Sequence, residues 1–343
     1  MAGGYDRRGG RLALRACALL LAGTLAVAAF SCAGPESGGG RLSGSIVIDG
    51  SGTVFPLSEA VAEGFRGREP KVDVVVGSSG TGAGFQKFCN GETAIQDASR
   101  PITASEMETC RSRGIDFVEL PVALDALTVV VHPSNRWLEC ITVAQLKKMW
   151  EPAAEGVVTR WNQVDPSWPE RPLHLYGPTT AHGSFDYFTE AVVGRARASR
   201  GDYSASADYN VIVASVSADG DGLGYMGLAY YQQNASRLKA LAVDGGQGCV
   251  QPAPEKVIDG SYPLSRPLFI YVSSRAMGRP DLRAFVDYYL ETAKGLAAEV
   301  GYIPLSDEAY ELVRGRWQEG RTGSAFAGSR PGTSVVDVLR GAS

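Results

Sequence analysis

The chain has 343 residues, 44% of them hydrophobic, and a formal charge of −4; the length suggests two domains, the apolar content suffices for two ordinary cores, and nothing in the composition points to disorder. Residues 1–31 carry four Arg and one Asp, so without them the charge is about −7, the wrong sign for long-range attraction of anions, and nucleic acid is not an expected partner. Any anion site must work through local dipoles and a few nearby cations.

Arg7, Arg8, Arg11 and Arg15 precede or enter the apolar run Ala16 to Phe30. That run is shorter than a membrane span and ends at small residues, as a secretory signal does. Cys32 follows Ala29-Phe30-Ser31, which is similar to the lipobox where bacterial lipoproteins are cleaved and lipidated on cysteine, although a small residue is usual where Phe30 stands. The expectation is a lipoprotein-type signal peptide over 1–32, lipidation at Cys32, and a Gly- and Ser-rich tether over 33–44. Such a chain sits on the outer face of the cytoplasmic membrane. Cleavage near Ala33, with Cys32 discarded, is the alternative and gives a soluble periplasmic or secreted protein; Arg7-Arg8 also hints at twin-arginine export.

Three stretches then repeat one pattern. After Ser45-Ile46-Val47-Ile48 comes Asp49-Gly50-Ser51-Gly52-Thr53-Val54-Phe55-Pro56, and Leu57, Ala60, Val61 and Phe65 mark one face of a following helix. Pro56 suits its first turn, where a missing N–H costs nothing. After Val72-Asp73-Val74-Val75-Val76 comes Gly77-Ser78-Ser79-Gly80-Thr81-Gly82-Ala83-Gly84, with Phe85 to Cys89 at helical spacing. After Leu173-His174-Leu175-Tyr176-Gly177 comes Pro178-Thr179-Thr180-Ala181-His182-Gly183-Ser184, followed by Phe185, Phe188 and Val192. The first turn of a helix has N–H groups without intrahelical partners, and glycines let a ligand approach them. One such turn is an ordinary connector; three hydroxyl-bearing ones favour a single converging anion pocket.

The remaining elements follow in order. Phe117 to Leu120 and Leu127 to Val131 read as strands, Val143 to Trp150 as a helix, and Trp161 to Pro172 as an ordered loop. Phe185 to Arg197 is expected to be helical, Val211 to Ser217 amphipathic, and Leu223 to Gly227 a buried strand, with Tyr225, Tyr230 and Tyr231 as core. Leu268 to Val272 is a second hydrophobic β run, Arg283 to Leu296 and Asp307 to Trp317 are helices, and the tail from Glu319 has no assigned role beyond an apolar stretch, Val335 to Leu339, able to dock. Alternation of strand and helix predicts an α/β sheet. If the chain crosses between lobes near Asp125 to Val131 and again near Leu268 to Val272, the first lobe is discontinuous: residues 45–126 plus 270–343, with 127–269 as the second.

Apart from Cys17 and Cys32, four cysteines remain. An even count in an exported chain suggests two disulfides. Of the three pairings, Cys89 with Cys110 and Cys140 with Cys249 is favoured because each bridge stays inside one predicted lobe. No CxxC or HxxxH spacing supports a metal site, and no cofactor is expected.

Ser51-Gly52-Thr53-Val54-Phe55-Pro56-Leu57, Gly77 to Gly82, Asp97-Ala98-Ser99-Arg100-Pro101-Ile102, Gly224-Tyr225-Met226-Gly227 and Tyr262-Pro263-Leu264-Ser265-Arg266-Pro267-Leu268 together resemble the phosphate-binding proteins of ABC transporters, the PstS family, from about Ile46 to Trp317. The resemblance implies a two-lobed periplasmic-binding-protein fold, type II-like, with two hinge crossovers. It implies a monomer that closes over inorganic phosphate and delivers it to a membrane permease. It also implies ligand contacts from Thr53, Val54 and Phe55 in the first loop, Ser78 in the second, and Gly183 and Ser184 in the third. In the best-known branch the third loop brings an Arg and a Ser where Pro178 and His182 stand here, and an Asp that accepts the phosphate proton where Arg100 stands. Arg100 is then a candidate source of positive charge, because its guanidinium matches phosphate bidentately. The acceptor falls to Asp125, at the presumed hinge, ahead of Asp97.

Sulfate carries no proton near neutral pH and is repelled by a buried carboxylate, whereas monohydrogen phosphate donates into it. A site built around a ligand's OH rejects the analogue lacking it by roughly 10⁴-fold. Binding of another tetrahedral oxyanion such as sulfate is one alternative; a cell-surface phosphohydrolase using Ser184 and His182 is the other. Against the second, no G-x-S-x-G elbow surrounds Ser184, and the Gly77 loop lacks the G-K-[ST] ending of a P-loop.

Overall fold

The computed structural model describes residues 42–180, 182–329 and 333–341; the expected signal peptide, Cys32 and nearly all of the tether lie outside them. Its first strand, β1 (Gly44–Gly50), alternates exposed Ser45 and Val47 with buried Ile46 and Ile48 and ends on buried Asp49 and Gly50. α1 (Phe55–Arg68) starts with Pro56 in its first turn and buries Leu57, Val61 and Phe65. β2 (Val72–Val76) and α2 (Thr81–Asn90) follow, and Gly91 ends α2 in the left-handed region with φ 79°, a conformation glycine adopts at no steric cost. β3 (Ile95–Ala98) and α3 (Ala104–Ser112) complete this part, the latter capped reciprocally by Thr103 and Glu106.

The two strands expected at Phe117 to Leu120 and Leu127 to Val131 are one. β4 (Phe117–Val131) runs 15 residues, all buried. Its first part pairs antiparallel with β12 (Ser265–Ser273), and its last five residues pair with β8 (Gly222–Gly227). Pro121 does not break it, because the register shifts there: Leu268 faces Ala123, Phe269 faces Pro121, and Val122 has no counterpart. This is a β-bulge, the position at which a strand tolerates proline. The Val122 carbonyl accepts the Tyr310 hydroxyl at 2.9 Å.

Between β4 and β8 come β5 (Cys140–Thr142), α4 (Val143–Trp150), α5 (Trp161–Val164), β6 (His174–Pro178), α6 (Gly183–Phe188), β7 (Ser204–Ser206) and α7 (Tyr209–Ala218). The passage read as a loop thus contains the short α5, where Trp161 packs on Trp137 and Trp168 at 4.9 and 5.7 Å between ring centres. α6 passes into a π-helical turn, Thr189–Val193, and stops at Gly194, φ 90°, so it is shorter than the expected span to Arg197. Tyr225 is core, stacked on Phe188 at 3.8 Å; Tyr230 and Tyr231 are half-buried. α8 (Leu228–Gln233), β9 (Lys239–Ala240), β10 (Ala242–Asp244), β11 (Cys249–Val250) and α9 (Pro254–Ile258) lead to β12, then α10 (Pro280–Glu299), α11 (Asp307–Gln318) and α12 (Val335–Gly341).

The main sheet has the order β2-β1-β3-β12-β4-β8-β6-β7, with β9 also on β4. Its two ends are parallel, and its centre, built from the two crossing strands, is antiparallel. A parallel strand end followed by a helix N-terminus is therefore repeated on both sides of β4 and β12, as α/β chemistry requires. Disulfides join Cys89 at the end of α2 to Cys110 in α3, Cα atoms 4.4 Å apart, and Cys140 to Cys249 in the small sheet β11-β10-β5, 6.0 Å apart.

The tail is docked by a buried carboxylate. Glu119, with 0% exposure, accepts the Tyr271 hydroxyl (2.8 Å), the Ser324 hydroxyl (2.6 Å) and the amides of Ala325 and Phe326 (2.8 and 3.0 Å). Burial raises its pKa even against these donors. A buried acceptor with its lone pairs filled fixes the segment that donates to it.

Candidate anion site between the two ends of the sheet

The three helix starts singled out in the sequence open into one cavity of 470 Å³, with Gly52, Thr53, Ser78, Gly80, Thr180 and Gly183 on its walls. Backbone bonds lock the first two loops together: the Ser51 amide donates to the Asp97 carbonyl at 2.8 Å, and the Gly80 amide to the Gly50 carbonyl at 2.7 Å. The fit is close enough to require glycine. At Gly84 a Cβ would stand 2.6 Å from the Gly50 Cα, and at Gly50, φ 140°, it would stand 2.1 Å from the Asp97 carbonyl oxygen. Asp49 supports the second loop by accepting the amides of Gly50 (2.7 Å) and Ser79 (2.9 Å) and an ion pair from Lys87. Burial pushes its pKa up, but Lys87 and the two amides outweigh that and hold it below the usual carboxylate range.

The third loop, from the other side of the crossover strands, meets the first directly. A Cβ on Gly183 would lie 2.5 Å from Thr53 Oγ1. Thr53 and Gly183 also wall a neighbouring cavity of 380 Å³ that takes in Asp125, Ser184, Tyr209 and Tyr302. Thr53, Ser78, Gly183 and Arg100 thus face the first cavity, while Ser184 and Asp125 face the second. Val54 is fully buried and Phe55 half-buried; their amides donate to the Ser51 carbonyl at 3.1 and 3.0 Å, so this turn spends on itself two of the donors expected to face a ligand. Asp97 is fully buried in β3 and forms the wall of neither cavity.

Arg100 reaches the cavity wall, but its guanidinium is already gripped by both oxygens of Glu106 at 2.8 and 2.9 Å. That side chain also closes the cap of α3, so Arg100 is partly neutralised. The residue that sequence reasoning missed is Arg266. It stands opposite Asp125 in the β4–β12 register and is 9% exposed. One Nη donates to Thr53 Oγ1 at 3.1 Å and lies 3.4 Å from Asp125; the other is 3.8 Å from Glu190. The guanidinium covers the Tyr187 ring at 3.8 Å, a cation–π contact, and Nε is buried without a partner. The available signal was an arginine directly before Pro267, at the head of the β run Leu268 to Val272. Arg197 also faces the cavity, bonded to the Thr180 carbonyl at 3.1 Å; nothing in its surroundings in the sequence marks it.

Burial raises the pKa of Asp125 against the pull of Arg266. It raises that of Asp186, a carboxylate of the first cavity, against Arg197 and Arg266. Ser184 Oγ accepts the Tyr209 hydroxyl at 2.6 Å, and burial lowers the pKa of His182, whose ring packs on Tyr209 at 4.9 Å. Glycine-lined helix starts, hydroxyls and a buried guanidinium suit a small oxyanion, taking over its hydration shell with fixed dipoles. Among the described residues no cluster of three His, Cys, Asp or Glu could hold a metal ion.

Residues 35–292 match the family model of the PBP superfamily domain. The chain is 50% identical over 303 residues, 88% of its length and 89% of the relative, to Protein SphX of Synechocystis sp.. It is 36% identical over 299 residues, 84% of its length and 91% of the relative, to the phosphate-binding protein PstS of Staphylococcus saprophyticus. A solved structure, that of a possible phosphate-binding protein from Planctomyces limnophilus, is similar with a TM-score of 0.78 and 44% identity, covering 82% of this chain and 99% of that one.

Proposed function

The chain belongs to the PBP superfamily, in its branch of SphX and PstS phosphate-binding proteins, and from that premise we propose how its residues capture inorganic phosphate. It is an extracytoplasmic solute-binding protein of phosphate transport, the partner of an ABC permease, and not an enzyme. The observation that carries the reading of the site is the meeting of Gly183 with Thr53 beneath the buried guanidinium of Arg266.

In this reading Ser78, Thr53 and the amide of Gly183 donate to the phosphate oxygens, with Ser184, Val54 and Phe55 adjusting as the ion enters. Arg266 supplies the principal charge and Arg100 a lesser share, because Glu106 already neutralises it. Asp125 is the proposed acceptor for the ligand proton, held beside Arg266; Asp186 and Glu190, which face the first cavity, are its competitors for that role. Residues 45–126 with 270–343, and residues 127–269, move as the two closing bodies about β4 and β12. The chain acts as a monomer, tethered by a lipid on Cys32.

Calorimetry on ligand-stripped protein tests this. Phosphate is expected to bind and sulfate to bind at least ~10³-fold more weakly; heat with neither anion would refute the assignment of the cavity, and equal affinities would refute the acceptor.

A further inference from the structure

Arg197 is the one residue other than glycine, among the described residues, with a positive φ, 66°. A side chain makes that left-handed conformation costly, and a chain that only had to turn after Gly194 would be served better by a second glycine. Thr189 holds it there. The fully buried Thr189 hydroxyl accepts the Arg197 amide at 2.7 Å and donates to the Phe185 carbonyl at 2.8 Å. The turn is thereby tied to α6, the helix whose start brings Gly183 against Thr53. One Nη of Arg197 donates to the Thr180 carbonyl at 3.1 Å, and the other is 3.8 Å from the Asp186 carboxylate. Arg197, Thr180 and Asp186 all border the oxyanion cavity.

Three arginines border that cavity, and they differ in what they have left to give. Arg100, 28% exposed, is held by both oxygens of Glu106; Arg266, 9% exposed, is engaged with Thr53, Asp125 and Glu190. Arg197 is 63% exposed, and its carboxylate partner stands beyond hydrogen-bond reach. A loose, exposed ion pair contributes little, so the guanidinium loses little by turning to another anion. We propose that Arg197 is a phosphate-binding residue on the solvent side of the site, its guanidinium donating to a phosphate oxygen in place of Thr180 and Asp186. Thr189 is the positioning residue that keeps it in the strained turn. This rests on the reading of the cavity as the phosphate site. With a formal charge of −4 the chain offers an anion no long-range attraction, so a cation placed at the cavity itself is where attraction can begin.

The experiment is phosphate calorimetry and urea unfolding on ligand-stripped wild type, Arg197→Gly, Arg197→Lys, Thr189→Val and the double variant Arg197→Gly/Thr189→Val. Arg197→Gly relaxes the backbone while it removes the charge, so its urea midpoint should hold or rise. Its phosphate affinity should fall by ~10-fold, the scale of one hydrogen bond to a charged group. Because the group is exposed, that loss should be largest at ~0.01 M ionic strength, where charges act over ~30 Å, and shrink at ~1 M, where they act over ~3 Å. Arg197→Lys should recover part of the affinity at low salt. Thr189→Val should weaken binding in the wild-type background and add nothing to Arg197→Gly, since it acts through the arginine. An Arg197→Gly affinity within about 2-fold of wild type at low salt overturns the proposal, about the scatter expected of an uninvolved site. So does a loss indifferent to salt, or one that Arg197→Lys shares in full together with a lowered urea midpoint, which marks a structural role. Equal effects of Thr189→Val in both backgrounds overturn its positioning role. A wild type that gives no heat with phosphate refutes the assignment of the cavity and this proposal with it, whereas normal wild-type binding beside an indifferent Arg197→Gly refutes this proposal alone.

Discussion

Gly183 lies against Thr53 so closely that a Cβ on the first would stand 2.5 Å from the hydroxyl oxygen of the second. The two residues come from helix starts on opposite sides of the crossing strands, α6 and α1. Gly183→Ala should therefore hold the loops apart and weaken phosphate binding by ~10-fold or more, about 1.4 kcal/mol. The matched control is Gly295→Ala, where a Cβ meets nothing within 4 Å and helix propensity predicts a small gain in stability. Calorimetry on the pair separates a steric effect at the site from a general effect of removing glycine.

Arg266 carries the largest predicted side-chain effect on binding. Arg266→Ala should cost ~100-fold or more in phosphate affinity, in line with loss of a charge-assisted, buried contact, and more than Arg100→Ala, whose guanidinium Glu106 already occupies. Because the substitution also leaves Asp125 buried without its cation, the fold should lose ~3 kcal/mol. The double variant Arg266→Met/Asp125→Asn should recover much of that stability without recovering affinity. Urea unfolding beside calorimetry tells these apart, and similar affinity losses for Arg100→Ala and Arg266→Ala would contradict the ranking.

Asp97 makes stability depend on pH. Burial pushes its carboxyl up to about 8, against an opposing pull from Ser58 and with a further push from Asp49. In the unfolded chain the same group ionises near pH ~3.9. Between those values the folded state holds a proton that the unfolded state has lost, so stability is highest below pH ~4 and declines as the pH rises toward 8. Asp97→Asn should remove this slope and gain on the order of 2 kcal/mol at pH 8. Denaturant titrations of both proteins at pH 5 and 8 measure it; a wild type more stable relative to the variant at pH 8 than at pH 5 would reverse the sign.

The two disulfides should differ in their contribution. Cys140–Cys249 spans 109 positions and Cys89–Cys110 spans 21. Chain entropy predicts ~4–5 kcal/mol for the longer loop and ~3 for the shorter. Double serine variants of each, unfolded in urea, give the order directly.

Much of the architecture was legible because apolar periodicity is strong where elements are long: the helices around Val143 to Trp150, Arg283 to Leu296 and Asp307 to Trp317 stand within a few residues of their expected bounds. The merging of two expected strands into β4 was not legible. Pro121 normally ends a strand, and only the partner's register shows that it sits at a bulge. Of the site, the three loops were visible through glycine and hydroxyl patterning. Arg266 was not, since a guanidinium declares its role only through what surrounds it, and Thr53, Asp125 and Tyr187 are distant in the sequence. Arg100 drew attention by position, but its neutralisation depends on Glu106 turning back from the first turn of α3, a side-chain geometry that spacing alone does not reveal.

The unmatched residue at Val122 has a mechanical corollary. The two central strands are hydrogen-bonded to each other, so they form a ribbon, and Val122 is the residue of β4 that this pairing leaves without a counterpart on β12. A β-bulge bends the strand that carries it and increases the local right-handed twist. That bend lies in main chain, common to every anion the site admits, so discrimination among anions falls to the side chains that line the cavity.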